Sequence, residues 1–327
     1  MKVLVTGAAG YIGSHAVRHL LARNHEVVAL DNLSRGHRQA LPVTVPFAQL
    51  DVRDTPAISQ LLRRERIDTV MHFAALAYVG ESVLEPLRYY DNNTVGTLHL
   101  LQAVAESDVE RFVFSSTCST YGQPDQMPIK EDTPQNPLNP YGHSKLFSER
   151  ILRDFAALRG SFACSALRYF NVAGAASDGS IGEHHDPETH LIPSILQAAL
   201  GLREGVVVHG EDYPTADGTC IRDYIHVEDL VEAHACVMER LTPGFHAYNL
   251  GTGRGYSVSE VIEAARLIVK RPVAVHRGPR RPGDPAVLCA DASKITRDLG
   301  WAARKSDLES IIGTAWCWFK DHPRGYL

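Results

Sequence analysis

Short apolar runs alternate with longer amphipathic segments through the first half of the chain. The runs predict strands over residues 2–6, 26–30, 43–49, 69–72, 111–115 and 165–168. The segments between them have apolar positions three and four apart, predicting helices over 11–23, 56–65, 86–107 and 141–157. Strand and helix in regular alternation imply βαβ units and a parallel sheet. Several of the runs are apolar throughout, as expected of strands covered by helices on both faces.

The texture changes after Arg168. Residues 173–189 are rich in Gly, Ala, Asp and His and read as a long loop. Helices are expected over 192–200, 227–240 and 257–268. Residues 277–285 pack charges with Pro and Gly, a loop suited to covering a ligand. No internal repeat or low-complexity tract interrupts this order.

Composition narrows the class. A chain of 327 residues buries a full core, and no apolar run approaches the ~18–20 residues of a membrane span. The net charge of −5 leaves no electrostatic footprint for nucleic acid or an anionic membrane surface. The apolar start Val3–Val5 gives way at once to Thr6 and glycines, too short for a secretory signal. Six cysteines show no C-x-x-C and no finger spacing, which suits a reducing compartment, the cytoplasm. Among 16 histidines, His15 and His19 lack the intervening Glu of H-E-x-x-H, and His184-His185-Asp186 falls in the long loop. No metal is expected.

The first strand runs into Gly7-Ala8-Ala9-Gly10-Tyr11-Ile12-Gly13, which opens a helix. Residues without a Cβ let the backbone approach a pyrophosphate, and the helix N-terminus presents N–H groups and a positive dipole end to it. Asp31 ends the next strand, close to the ~20 residues further on at which an acid meets the adenosine ribose. A carboxylate there accepts from a 2′-hydroxyl and repels a 2′-phosphate, favouring NAD over NADP, with Arg35 nearby as an opposing charge. The fold class is therefore α/β: a doubly wound parallel Rossmann sheet over 1–170 and a smaller, partly interleaved substrate domain over 171–327, some segments of which return to the first.

Tyr141-Gly142-His143-Ser144-Lys145 begins a helix just after Pro140, setting phenol and ammonium one turn apart on one face. Bringing a phenol from ~10 to near 7 takes about 4 kcal/mol, within reach of an ammonium and a cationic nicotinamide in a dry cleft. Upstream, Phe114-Ser115-Ser116-Thr117 runs off a strand end, where such sheets place ligands, and Thr117 offers a hydroxyl to a reacting oxygen.

The runs TGAAGYIG, DNLSRG, LDV, HFAAL, YYDNN, FSST, YGHSK and RYFNVAGA resemble the extended short-chain dehydrogenases/reductases. The later runs HGEDYPTADGTCIRDYIHVEDL, YNLGTG and RRPGDPAVLCADASK resemble the UDP-galactose 4-epimerases specifically, and the likeness spans nearly the whole chain in order. The resemblance implies Tyr141 as catalytic base and acid, Lys145 as its partner and nicotinamide-ribose ligand, and Thr117 where many epimerases have Ser. It implies an NAD pocket of Gly7, Gly10, Tyr11, Ile12, Gly13, Asp31, Asn32, Leu33, Ser34, Arg35, Gly36, Asp51 and Val52. The pocket continues through Phe73, Ala74, Ala75, Leu76, Ala77, Asn92, Thr117, Tyr141, Lys145 and Phe170. The UDP-sugar falls to Thr117, Tyr141, Asn171, Leu191, Val207, Val208, His209, Arg222, Tyr224, Arg281, Asp284 and Leu288, with His190 standing where some members have Asn.

The activity so implied is interconversion of UDP-galactose and UDP-glucose by transient oxidation at sugar C4, by a homodimer pairing helices 86–107 and 141–157. Epimerases of UDP-N-acetylhexosamines or UDP-pentoses share these motifs. A 4,6-dehydratase or decarboxylase needs an acid just after Thr117, where this chain has Cys118 and Ser119. A non-catalytic NAD sensor would have no use for the Tyr141/Lys145 pair.

Overall fold

The computed structural model describes residues 1–281 and 284–326; Pro282 and Gly283 of the RRPGDP run and the terminal Leu327 lie outside the described residues. The elements run β1 (Lys2–Thr6), α1 (Tyr11–Ala22), β2 (Glu26–Asp31), β3 (Phe47–Gln49), α2 (Thr55–Glu65), β4 (Thr69–His72), α3 (Val79–Leu84), α4 (Pro86–Tyr89), α5 (Gly96–Ala105) and β5 (Arg111–Thr117). They continue with α6 (Pro140–Leu158), β6 (Ala163–Tyr169), β7 (Asn171–Ala173), α7 (Leu191–Ala199), β8 (Val206–His209), β9 (Ile221–His226), α8 (Val227–Arg240) and β10 (Gly244–Leu250). The last are β11 (Gly255–Ser257), α9 (Val258–Val269), β12 (Val275–Gly278), β13 (Val287–Leu288), α10 (Ser293–Leu299) and α11 (Leu308–Asp321).

Two compact units divide the chain. Unit 1 comprises Met1–Gln123, Thr133–Arg168 and Val231–Tyr248; unit 2 comprises Pro124–Asp132, Tyr169–Leu230 and Asn249–Leu327. The short segment Pro124–Asp132 belongs to unit 2 because its backbone pairs there: Ile129 N–H donates to Cys289 O at 2.9 Å, and Asn249 Nδ2 donates to Ile129 O at 2.8 Å.

Unit 1 is built on a seven-stranded sheet in the order β10-β6-β5-β4-β1-β2-β3, parallel where β3, β2, β1, β4 and β5 pair. The order reverses direction between β1 and β4, the switch point at which doubly wound sheets bind ligands. Val3, Leu4 and Val5 are fully buried, as are Val70 and Met71 of β4, which explains strands without alternation. One face packs Leu4, Val28, Leu30, Ile58, Leu62, Leu100, Val104 and Phe112 into a single core.

Four expectations change here. The strand over 43–49 shrinks to Phe47–Gln49: Pro42 and Pro46 cannot donate to a ladder, and Val43 stands exposed. The helix over 86–107 is three pieces, α4, a π-helical stretch Tyr90–Val95 and α5; the wider turn directs Asn93 into the protein, where it is buried. The loop over 277–285 begins inside β12, and the loop over 173–189 begins inside β7.

Unit 2 holds β11-β9-β13, with β7 pairing β9, and a separate parallel pair β8 and β12. Helices α7, α9 and α11 pack around Ile195, Leu196, Val261, Ile311 and Trp318. The strand β9 escapes a hydrophobic reading because Arg222 and Asp223 lie in its middle. Asp223 is nevertheless buried, its carboxylate accepting from Thr252 N (2.8 Å), Gly253 N (2.9 Å) and Ala290 N (3.1 Å).

Candidate active site

In unit 1 the glycine turn follows β1 at the switch point. Gly7 has φ +66°, and a Cβ on it would lie 2.5 Å from Ala74 N; one on Gly13 would lie 2.1 Å from Gly7 O. Backbone therefore fills the space that side chains would take, and the first turn of α1 stands over it. Asp31 closes the turn from β2, accepting Ala9 N–H at 2.9 Å and Leu33 N–H at 2.8 Å. A carboxylate has about four lone-pair positions, so two remain for ribose hydroxyls. Burial raises the pKa of Asp31 against the lowering by those two hydrogen bonds. This cradle and its acid fit a dinucleotide.

Arg35, the charge that opposed an NAD reading, is taken up elsewhere: it pairs with Glu81 at 2.7 Å and lies 4.9 Å over the Tyr78 ring. Next to it, Asn32 Nδ2 donates to Asp51 Oδ2 at 2.9 Å, and Ser34 N–H to Asn32 Oδ1 at 3.0 Å. The Arg53 guanidinium holds the Asp51 carboxyl far below the usual range. Val52 is buried in the sheet core and Gly36 follows the Asp31 turn. Phe73, Ala74, Ala75, Leu76 and Ala77 form the loop after β4, with the Phe73 ring tilted against His234, centroids 4.9 Å apart. Asn92 donates to Asn93 Oδ1 at 3.0 Å.

Asn139 caps α6, accepting Gly142 N–H at 2.9 Å, with Pro140 as the first helical residue. A Cβ on Gly142 would lie 2.5 Å from Ser119 O, so only glycine lets the start of α6 rest on the turn that follows β5. That approach sets the buried Tyr141 close to the end of the strand, where Thr117 stands. Thr117 Oγ1 accepts Ser119 N–H at 3.1 Å, so its own O–H remains a donor. Lys145 Nζ donates to Ser115 O at 2.8 Å and lies 4.8 Å over the Phe114 ring. Burial pulls its pKa down from 10.5 to about 7, with the Glu149 carboxylate opposing. Cys118 and Ser119 follow Thr117 as expected, and neither is an acid.

Supporting residues without a sequence signal of their own complete this part. Asn93 brackets Leu76, accepting its N–H at 2.8 Å and donating to its carbonyl at 2.9 Å, and donates to Ser144 Oγ at 3.0 Å. Glu149 and Arg168 are buried, joined at 2.6 Å, with Ser116 Oγ also on Glu149 and Tyr121 Oη accepting from Arg168 at 2.8 Å. A polar residue on a helix face that should be apolar is the available sequence sign of such a network.

The remaining candidates belong to unit 2: Asn171, Arg222, Tyr224 and Leu288 lie on β9 and the strands paired with it, and the others on β8, on α7 and in the segments after β6 and β12. Asn171 on β7 pairs in register with Tyr224, and Leu288 on β13 with Arg222. Arg222 is buried, donates to Ile221 O at 2.8 Å and forms an ion pair with Asp284. Leu191 starts α7 and packs on the same core as Tyr224. On β8, Val207 is exposed while Val208 is in the core, which leaves only the backbone of Val208 for a ligand. Burial and the neighbouring Arg281 lower the pKa of His209. Phe170 lies between β6 and β7. Among the described residues one group of side chains, Glu183, His185, Glu188 and His190, has the spacing to hold a metal ion.

Residues 3–251 match the NAD dependent epimerase/dehydratase family. The chain belongs to this family. It is 49% identical over 328 residues to a UDP-glucose 4-epimerase of Lactobacillus helveticus, covering 100% of this chain and 99% of that one. A probable UDP-arabinose 4-epimerase of Oryza sativa is 46% identical over 99% of this chain and 83% of its own length. Among solved structures, the UDP-glucose 4-epimerase of Bifidobacterium longum in complex with NAD+ and UDP superposes with a TM-score of 0.95 at 40% identity, covering 99% of this chain and 100% of that one.

Proposed function

We infer that this chain is an NAD-dependent UDP-hexose 4-epimerase, an isomerase that interconverts UDP-galactose and UDP-glucose. The observation that carries the reading is likeness along the whole chain to enzymes of that name, in a protein that retains Tyr141, Lys145 and a hydroxyl at Thr117.

NAD, held by the Gly7–Gly13 turn, Asp31 and the Phe73–Ala77 loop, supplies reversible oxidation at sugar C4. Tyr141 takes the proton of the sugar 4-hydroxyl and returns it to the same oxygen once the configuration has inverted. Thr117 donates its O–H to that oxygen and orients it. Lys145 stands on the same helix face one turn away, where its ammonium favours the phenolate form of Tyr141. Asn171, Leu191, the backbone of Val207–His209, Arg222, Tyr224, Arg281 and Asp284 hold the UDP. Binding energy concentrated on the nucleotide leaves the hexose able to turn over during the reaction. Arg222 suits this task, since a planar guanidinium meets two phosphate oxygens at once.

The oligomer is a homodimer. Val83, Leu84, Leu87, Leu98 and Phe147 on α3 to α6 are exposed apolar side chains, a cost to a solitary chain and an asset at an interface. Sedimentation should give twice the chain mass of 36.0 kDa. The enzyme works in the cytoplasm, which suits six cysteines that all stand as thiols; none of its described helices is long and apolar enough to cross a membrane.

The deciding experiment incubates pure protein with UDP-galactose and no added NAD. UDP-glucose should form, with the cofactor brought from the purification. A protein that releases NAD(H) on denaturation yet forms no UDP-glucose would refute the reading.

A further inference from the structure

We propose that Glu183, His185, Glu188 and His190 form a four-ligand site for one divalent transition-metal cation, Zn2+ by donor type. The four side chains sit in the segment that leads into α7, and His190 is the N-cap of that helix. One ligand atom from each lies within 4.8 Å of all the others. Both imidazoles point Nδ1 inward: His190 Nδ1 is 2.8 Å from Glu183 Oε1 and 3.2 Å from Glu188 Oε1. His185 Nδ1 is 3.1 Å from Glu183 Oε1 and 3.7 Å from Glu188 Oε2. Ligands held ~2.0–2.1 Å from a tetrahedral ion stand about 3.3–3.4 Å from one another, the middle of that range.

Burial points the same way. The Glu183 and Glu188 side chains are each only 4% exposed. Glu188 Oε1 is pinned by His190 N–H at 2.8 Å, while Oε2 makes no hydrogen bond among the described residues. Two buried carboxylates require two positive charges beside them, and one divalent ion supplies both. Two imidazole nitrogens with two carboxylate oxygens suit zinc, whereas Mg2+ and Ca2+ take six or more oxygens. With all four positions filled by protein the site is a structural clip, tying the Glu183–His190 turn to the first residue of α7, Leu191. The sequence expectation of no metal rested on the missing H-E-x-x-H and on setting His184-His185-Asp186 aside as part of a loop; the pattern here is E-x-H-x-x-E-x-H, which includes His185 of that run.

The test uses tag-free, full-length protein, dialysed against a chelator and then supplied with Zn2+ or Co2+. We expect about one Zn2+ per chain at ~10 µM free metal, and an intense visible Co2+ spectrum of four-coordinate type. His185→Asn and Glu188→Gln should each lower bound Zn2+ from about one to below ~0.1 per chain and remove the Zn2+-dependent rise in melting temperature. Wild-type protein that binds no stoichiometric metal overturns the proposal, since two imidazolium protons then balance the carboxylates. Variants that bind as much as wild type overturn it equally. Should neither variant fold, the wild-type Co2+ spectrum decides, a weak six-coordinate spectrum counting against the site.

Discussion

Replacing Lys145 by Met should abolish epimerisation and, in nucleotide-free protein, raise stability at low pH but not at high pH. Lys145 is 3% exposed, and its burial lowers the pKa from 10.5 to about 7. The unfolded chain therefore holds more protons than the folded one between about pH 7 and 10.5, so stability rises with pH across that window. The penalty is complete below the folded value and vanishes above the unfolded one. At ~1.4 kcal/mol per pH unit, the penalty is on the order of 5 kcal/mol at pH 6, about 3 at pH 8 and under ~1 at pH 10. Met packs a similar stem without charge but gives up the 2.8 Å hydrogen bond to Ser115 O, about 1–2 kcal/mol. The variant should thus be more stable than wild type by roughly 3 kcal/mol at pH 6, and level or slightly weaker at pH 10. Denaturant titrations of both proteins, stripped of nucleotide, at pH 6, 8 and 10 measure the gap. A variant less stable than wild type at pH 6, or a gap that does not change with pH, refutes the argument. The outcome bears on function, because a residue that costs stability where it stands is retained for what it does to a reacting phenol.

Tyr141→Phe should fold and bind UDP normally while turnover falls ~10²-fold or more; near-normal kcat would remove Tyr141 from acid–base duty. Asp31→Ala should lower the NAD content of purified protein and narrow the preference over NADP, and also destabilise the turn by ~1–3 kcal/mol through the lost acceptor for Ala9 N–H, read by cofactor release and by urea midpoint. Arg168→Leu leaves the buried Glu149 carboxylate without its cation and should cost ~3–5 kcal/mol, whereas an Arg168→Leu/Glu149→Leu double variant should recover much of it; equal losses in both would show that the unpaired carboxylate is not the source of the cost. Leu288, in register with Arg222 on β13, is proposed to leave room beside the sugar 2-position. UDP-N-acetylgalactosamine should therefore be accepted, and Leu288→Tyr should reduce its kcat/KM relative to UDP-galactose; an inert wild type or an unchanged ratio counts against it.

Local pattern alone determined much of unit 1. Val3–Val5 and Thr69–His72 are buried on both faces, so composition over a few residues sufficed to mark β1 and β4. The glycines, Asp31 and the Tyr141–Lys145 turn were legible because their chemistry is written in spacing along one strand–turn–helix unit. Tertiary structure decided whatever depends on partners distant in the chain. The strands of unit 2 are short, and β9 buries Arg222 and Asp223 through contacts with Asp284, Thr252, Gly253 and Ala290, none visible from residues 221–226. The break in the expected helix over 86–107 follows from Asn93 reaching Leu76 and Ser144, a long-range hydrogen-bond demand that outweighs helical periodicity. Arg35 shows the same division: its charge is evident in the sequence, but only the fold pairs it with Glu81. The inward-facing imidazoles of His185 and His190 likewise depend on a loop conformation, because a loop has no period from which side-chain direction can be read.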